Sequence, residues 1–427
     1  MKKILYIVLD GLGDRPCPEL NGKTPLESAV TPNLDKLASS GKLGLVDTVG
    51  RGIAPESDVA VISILGYDPH RYYTGRGPLE SYAVGLEVND GDLAHRANFA
   101  TMGKEKTIID RRVGRNLTTG EAGQLAEAIN SEVKLSSCKA GFKFKNTVGH
   151  RAVLVVHSNE GKLSGEVTNT DPAYGREGVF GIAKATFEEK VVNCAPLPEC
   201  KSPKEAERAA LLTNEFIEKS HLIMENHPVN LKRKKEGKLP ANLILTRDAG
   251  DKLPEFPPLK DLYGIQFGSF VEMPVEKGIA ILTGMELIEL PPASGDFSID
   301  YTERSGMVVE AREKFDALYI HIKGPDEPAH DGDVQEKKNI IEKIDKYFFG
   351  NLLTAIDTDR TLIAVTADHS TPCSLKAHSD DPVPLLVSGG GIEPDKCPAF
   401  SEVQAKTGSL GRILGPALLP LFVKFAE

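Results

Sequence analysis

Three apolar runs in this chain end in the same way, and that repetition limits its fold more than any other feature. Residues 4–9 are followed by Asp10-Gly11. Residues 316–322 (DALYIHI) lead through Lys323-Gly324-Pro325 to Asp326 and His330. Residues 361–367 (TLIAVTA) are followed by Asp368-His369, with His378 shortly after. Continuous apolar runs of this length suit strands of a parallel sheet covered on both faces, and residues 384–388 (PLLVS) read as a fourth. Between them, residues 333–356 set Ile340, Ile344, Phe348 and Leu352 on one stripe at i, i+4 helical spacing. Residues 32–40, with Leu34 and Leu37, read as a shorter helix with Thr31 as N-cap and Pro32 in the first position. The expected core is α/β, a mainly parallel sheet with helices on both faces. In such sheets ligands bind beyond the carboxyl ends of the strands, so three strand ends bring Asp and His to one rim.

A chain of 427 residues is too long for one ordinary core. Residues from about 90 to 200 change character: they are rich in Gly and Thr, with short strand-like pieces such as 151–157 (RAVLVVH). We expect residues 1–90 and 200–427 to form the core and 91–199 to form an inserted α+β domain. The run Lys232-Arg233-Lys234-Lys235, between Pro228 and Gly237, reads as a solvated polar loop. A net charge of −10 argues against nucleic acid or an anionic membrane as partner. No stretch approaches the ~18 apolar residues of a membrane span. The N-terminal run is short and ends in an acidic residue, so it reads as a strand and not as a secretory signal. Six cysteines without a CxxC pair imply reduced thiols and a cytoplasmic setting.

Asp and imidazole together suit Zn²⁺ or Mn²⁺, with Mg²⁺ permitted where carboxylates dominate. Asp326 and His330 are four residues apart, so one helical turn or a compact loop points both at one ion. Asp368 and His369 are adjacent; they serve two ions, or one ion where the strand end bends. A lone Asp at a strand end is ordinarily a turn residue or a cap. Ligands from three strand ends suit two ions better than one, and ions ~3.5–4 Å apart clamp both oxygens of a phosphoryl transfer. Ser57, in Pro55-Glu56-Ser57-Asp58, precedes the apolar run 59–65 and sits where a helix N-terminus favours an anion. Such a serine is ordinarily a plain cap; a metal beside it would make it an alkoxide nucleophile. Gly11-Leu12-Gly13 lacks the third glycine and the Lys-Ser/Thr of a nucleotide loop.

These segments together resemble the alkaline phosphatase superfamily, and within it the archaeal-type 2,3-bisphosphoglycerate-independent phosphoglycerate mutases. The resemblance runs in order along nearly the whole chain: Val8 to Pro16, Thr24-Pro25-Leu26-Glu27, Thr31 to Asp35, Pro55-Glu56-Ser57-Asp58, Gly66-Tyr67-Asp68-Pro69, Thr74 to Glu80, Asp110-Arg111-Arg112-Val113-Gly114-Arg115, His321 to Asp333, and Thr366 to Cys373. It implies an alkaline-phosphatase-like catalytic core. It implies that Asp10, Asp368, His369 and Ser57 hold one ion, and Asp326, His330 and His378 the other. Mn²⁺ is the first expectation, with Mg²⁺, Co²⁺ or Zn²⁺ permitted. Ser57 would take the phosphate of 3-phosphoglycerate as phosphoserine and return it to the glycerate 2-hydroxyl, with no 2,3-bisphosphoglycerate. Such a mutase must keep glycerate and exclude water, and arginine forks suit that carboxylate. Arg111, Arg112, Arg115, His150 and Arg151 are the expected substrate contacts, on a middle domain that closes as a lid. Arg247 and Lys323 are further candidates for phosphate, and Asp171 is a candidate acid/base. The alternatives are a metal-dependent phosphatase or phosphodiesterase, another phosphotransferase of the homoserine-kinase type, or a metal-binding protein without activity.

Overall fold

The computed structural model describes residues 2–184 and 186–427. Its strands, in chain order, are β1 (Lys3–Leu9), β2 (Gly41–Asp47), β3 (Leu93–Met102), β4 (Ile108–Asp110), β5 (Ala140–Asn146), β6 (Arg151–Ser158), β7 (Tyr174–Glu177), β8 (Phe180–Ala183), β9 (Leu243–Gly250), β10 (Phe267–Phe270), β11 (Glu286–Leu287), β12 (Ala317–Ile322), β13 (Thr361–Thr366), β14 (Val383–Gly389) and β15 (Gly411–Leu414). They divide between two compact units, Met1–Tyr72 with Phe256–Glu427, and Tyr73–Glu255.

The first unit holds an eight-stranded sheet in the order β11-β10-β12-β1-β13-β14-β2-β15. The three apolar runs are neighbours in it: β1 pairs in parallel with β12 on one side and β13 on the other. All three are buried along nearly their full length, as continuous apolar runs require. The 384–388 run is a strand too, but β14 is antiparallel to both β13 and β2. Burial on two faces gives a strand the same apolar sequence in either direction. No helix crosses over between β13 and β14, and a parallel return needs such a crossover. The sheet is therefore mostly parallel, with one reversed strand, and helices flank it.

The 333–356 pattern is a helix with a widened middle: Val334–Lys343, a π segment at Ile344–Phe349, and Gly350–Ala355. Four residues exceed a 3.6-residue turn, so a strict four-residue stripe drifts around an α-helix. The π turn takes up that drift, and Ile340, Ile344, Phe348 and Leu352 all stay buried. The same turn presents the buried Asp345 to helix Pro32–Ser39. Its carboxylate accepts from the amides of Asn33 (3.2 Å) and Leu34 (2.7 Å). Thr31 stands at the N-cap position but makes no side-chain capping bond. The cap expected from Thr31 is thus supplied by a residue more than three hundred positions away.

The second unit is α+β. Its five-stranded sheet runs β4-β3-β6-β5, with β9 also on β3, and all pairings are antiparallel. Helices Thr119–Glu132 and Pro203–Glu225 share its core with Phe99, Phe144 and Ile244. This unit is wider than the expected 91–199, because β9 and the long helix after residue 200 complete its sheet and core. The Lys232–Lys235 run is not a loop either; helix Pro228–Lys235 contains it. Arg233 is only 1 % exposed and pairs with Glu121 at 3.0 Å while holding the Leu239 carbonyl. Basic composition marks a solvated segment only when no carboxylate waits inside the fold. Among the described residues, no helix is long and apolar enough to cross a membrane.

Candidate active site

Parallel pairing puts the carboxyl ends of β12, β1 and β13 on one rim of the first unit. Asp10 leaves β1 into Gly11, at φ +64°, where any Cβ would stand 2.6 Å from Asp326 Oδ1 and 2.9 Å from its Cα. Only glycine lets the Asp10 and Asp326 segments come so close. Asp326 opens the single-turn helix Asp326–Asp331, and that turn brings His330 Nε2 to 3.4 Å from Asp326 Oδ2. His378 Nε2 lies 3.7 Å from Asp326 Oδ1. Both imidazoles are oriented by backbone: His330 Nδ1 is 3.0 Å from the Lys376 carbonyl and His378 Nδ1 is 2.8 Å from the Pro55 carbonyl. With Nδ1–H donating to a carbonyl, Nε2 keeps its lone pair for a ligand.

The other group gathers around His369. Its Nε2 is 3.2 Å from Asp368 Oδ2, 3.5 Å from Asp10 Oδ1 and 3.2 Å from Ser57 Oγ. Ser57 is the first residue of helix Ser57–Ile64, with Glu56 as N-cap, so its hydroxyl lies at the positive end of the helix. All seven expected ligands therefore meet in one unit. Asp10 Oδ1, Asp368 Oδ2 and His321 Nε2 are among the buried atoms here that have no hydrogen-bond partner among the described residues. Buried carboxylate oxygens left unpaired beside imidazole nitrogens carry a heavy desolvation cost that a cation removes. Burial raises the Asp10 pKa to about 8; Lys323 opposes the rise, while Asp368 and Asp326 add to it. The Asp368 carboxyl moves the opposite way: burial would raise it, but His369, His321 and Lys323 hold it well below its usual range. Crowded buried carboxylates split in this manner, because a second charge beside the first is disfavoured. The donor set, its burial and its unpaired oxygens fit divalent ions.

Around these residues the fold gives carboxylate partners to the expected Lys323 and adds His321 and Glu276, to which the sequence reading gave no role. Lys323 lies 2.8 Å from Asp10 Oδ2 and 2.6 Å from Glu276 Oε1, in a carboxylate pair and not alone as a phosphate contact. His321, inside β12, comes within 3.7 Å of Asp368 Oδ2 and 3.8 Å of Glu276 Oε1. A histidine in an otherwise apolar buried strand was the available signal. Glu276, on helix Pro274–Leu282, offered none.

The second unit carries the arginines. Arg111 grips Asp171 with a fork, Nε to Oδ1 and Nη2 to Oδ2, both 2.7 Å. Arg247 stacks 3.9 Å over the Tyr174 ring. Arg111, Arg112, Arg115, Asp110 and Glu189 line a cleft of about 320 Å³. Its backbone is unusual: Val113, Gly114 and Arg115 follow one another at φ +53°, +61° and +54°. A β-branched residue in this region is strained by ~1–3 kcal/mol. Asp110 helps hold the turn by accepting from the amides of Arg112 (2.6 Å) and Gly114 (3.0 Å). His150 shows the local field: burial lowers its pKa to about 4, helped by Arg151, Arg112, Arg96 and Arg115. Arg76, in the Thr74 to Glu80 motif but given no role by it, and Arg96, outside every motif, join this cluster through Glu80 at 2.6 and 3.4 Å.

Comparison with known proteins gives the family. A family model described as 2,3-bisphosphoglycerate-independent phosphoglycerate mutase matches residues 38–230. A protein of that name from Aeropyrum pernix is 44% identical over 417 residues, covering 97% of this chain and 96% of the relative. Another, from Thermococcus kodakarensis, is 40% identical over 424 residues, covering 99% and 97%. A solved cofactor-independent phosphoglycerate mutase from Thermoplasma acidophilum matches with a TM-score of 0.65 at 33% identity, covering 100% of both chains. Identity of this order along the whole chain, with a matching fold, makes this protein a member of the 2,3-bisphosphoglycerate-independent phosphoglycerate mutase family.

Proposed function

We propose that this protein interconverts 3-phosphoglycerate and 2-phosphoglycerate without 2,3-bisphosphoglycerate, through a phosphoserine at Ser57. The observation that carries the reading is the placement of Ser57 Oγ at a helix N-terminus, 3.2 Å from His369 Nε2, in a cluster where Asp10 Oδ1 and Asp368 Oδ2 lack a hydrogen-bond partner among the described residues. Asp10, Asp368, His369 and Ser57 would hold one divalent ion, and Asp326, His330 and His378 the other. When bound, such ions supply Lewis-acid charge that lowers a hydroxyl pKa and offsets the charge of a phosphoryl group. Mn²⁺ suits this ligand set first, and Mg²⁺, Co²⁺ and Zn²⁺ are compatible with it.

Ser57 Oγ attacks phosphorus and gives up its proton, the bond from phosphorus to the glycerate 3-oxygen breaks, and that oxygen takes up a proton. The glycerate 2-oxygen then attacks the phosphoserine and loses its proton, the bond from phosphorus to Ser57 Oγ breaks, and Ser57 Oγ is reprotonated. The helix N-terminus at Ser57 attracts the phosphate through its amides. Lys323, paired with Asp10 and Glu276, adds positive charge at the same rim. Arg111, Arg112, Arg115, His150, Arg151 and Arg247, all in the second unit, are our candidates for holding glycerate through its carboxylate. Asp171, in its fork with Arg111, is our candidate for exchanging the proton with the glycerate oxygens. The activity belongs to glycolysis and gluconeogenesis, and we assign the protein to the cytoplasm.

A coupled assay tests this. Supply 3-phosphoglycerate and Mn²⁺ without 2,3-bisphosphoglycerate, and follow 2-phosphoglycerate and inorganic phosphate together. Formation of 2-phosphoglycerate, lost on chelation, is the expected result. Inorganic phosphate alone would make the protein a hydrolase on the same residues.

A further inference from the structure

Behind the ligand cluster lies a fully buried ammonium that the proposed chemistry does not use. Lys337 sits on helix Val334–Lys343 with no exposed surface. Its Nζ donates to the Gly13 carbonyl (3.1 Å), to Asp14 Oδ2 (2.9 Å) and to the Thr371 carbonyl (3.0 Å). An ammonium has three N–H donors, so all are taken. Gly13 and Asp14 follow Asp10 after β1; Thr371 follows Asp368-His369 after β13. The two segments are joined again by the Thr371 amide, which donates to the Gly13 carbonyl at 2.9 Å. Asp14 ties them a third time by accepting from the Cys373 amide at 3.2 Å.

The side chain of Thr371 continues this link into the cluster. Its hydroxyl donates to Asp326 Oδ1 at 2.7 Å. It lies 3.0 Å from His369 Nδ1, whose N–H it accepts. That bond turns the other ring nitrogen, Nε2, toward Ser57, Asp10 and Asp368. One buried hydroxyl therefore touches a member of each ligand group, Asp326 of one and His369 of the other.

We propose that Thr371, anchored by Lys337, is a positioning residue that bridges the two ion sites and sets the affinity of both. The inference rests on the two-ion reading above. Groups that orient metal ligands from behind are worth about 10- to 100-fold in metal affinity when removed. A threonine serving only to pack would be replaced by valine without such a loss, because valine keeps the shape and lacks only the hydroxyl.

The test is a calorimetric titration of metal-free full-length protein with Mn²⁺, for wild type, Thr371→Val and Thr371→Ser. Thermal melting of each metal-free protein checks the fold. The expected result is two ions per wild-type chain, both binding steps weakened about 10- to 100-fold in Thr371→Val, and near-wild-type affinity in Thr371→Ser. Wild-type affinities in Thr371→Val overturn the inference while leaving the two-ion reading intact. So does weakening of one step alone, or a serine variant as weak as the valine one. A wild type that saturates below two ions overturns the two-ion reading and this inference with it.

Discussion

Ser57 opens its helix with its hydroxyl 3.2 Å from the imidazole Nε2 of His369. Replacing it removes the proposed nucleophile together with one of four proposed ligands, and leaves Asp10, Asp368 and His369 to hold the ion. Ser57→Ala is expected to lower kcat by at least about 10³-fold, by comparison with the loss of other nucleophiles. Calorimetry should still show metal uptake in that variant; retained turnover would rule Ser57 out as nucleophile. The arginines make a different demand. Arg112 and Arg115 line the cleft on a strained turn, and their forks suit the carboxylate of a glycerate that must not escape. Arg112→Ala or Arg115→Ala should therefore raise the ratio of inorganic phosphate to 2-phosphoglycerate as well as slow the mutase. An unchanged product ratio means that neither arginine retains glycerate.

Helix Pro32–Ser39 shows how an element can depend on a distant one. Its first amides are satisfied by Asp345, which the π turn at Ile344–Phe349 aims at them. Asp345 also accepts from the Asn33 side chain at 2.9 Å. Asp345→Ala removes a buried cap and leaves those donors unpaired, so a loss of about 2 kcal/mol is expected. Denaturant unfolding measures it, and Thr31→Ala, at a position with no side-chain capping bond, should cost much less. Equal costs for the two variants would show that the cap assignment is wrong. In the second unit Arg233 plays a comparable part, bonding Glu121, the Asn116 side chain and the Leu239 carbonyl from inside the fold.

For the molecule as a whole, the crowded carboxylates make stability depend on pH and on metal together. The folded pKa of Asp10, about 8, lies above its ordinary value of 3.8. Between those values the metal-free folded state binds more protons than the unfolded state, so this residue makes stability fall as pH rises. Metal-free Asp10→Asn should accordingly melt above metal-free wild type at pH 8, by an amount on the order of 2 kcal/mol, with the advantage fading toward pH 4. Saturating Mn²⁺ should reverse the order, because each ion at about 100 times its Kd adds about 2.7 kcal/mol to the form that binds it. Melting curves at both pH values, with and without chelator, check this. A variant that responds to Mn²⁺ like wild type would remove Asp10 from the ligand set.

Much of this protein is legible without coordinates. Three apolar runs ending in Asp and His suffice to place a sheet and a rim of candidate ligands, because burial on both faces and polar groups at a strand end are local demands. The single turn from Asp326 to His330 and the helix opening at Ser57 are of the same kind. Partners drawn from far along the chain are not legible in this way. The reversal of β14, the extension of the second unit to Glu255, the cap from Asp345, the burial of Arg233 and the Thr371 link between Asp326 and His369 each depend on a residue brought in from elsewhere. Periodicity and local spacing report what a segment needs; which distant group meets that need is settled by packing, where an unpaired buried donor or charge costs too much to leave.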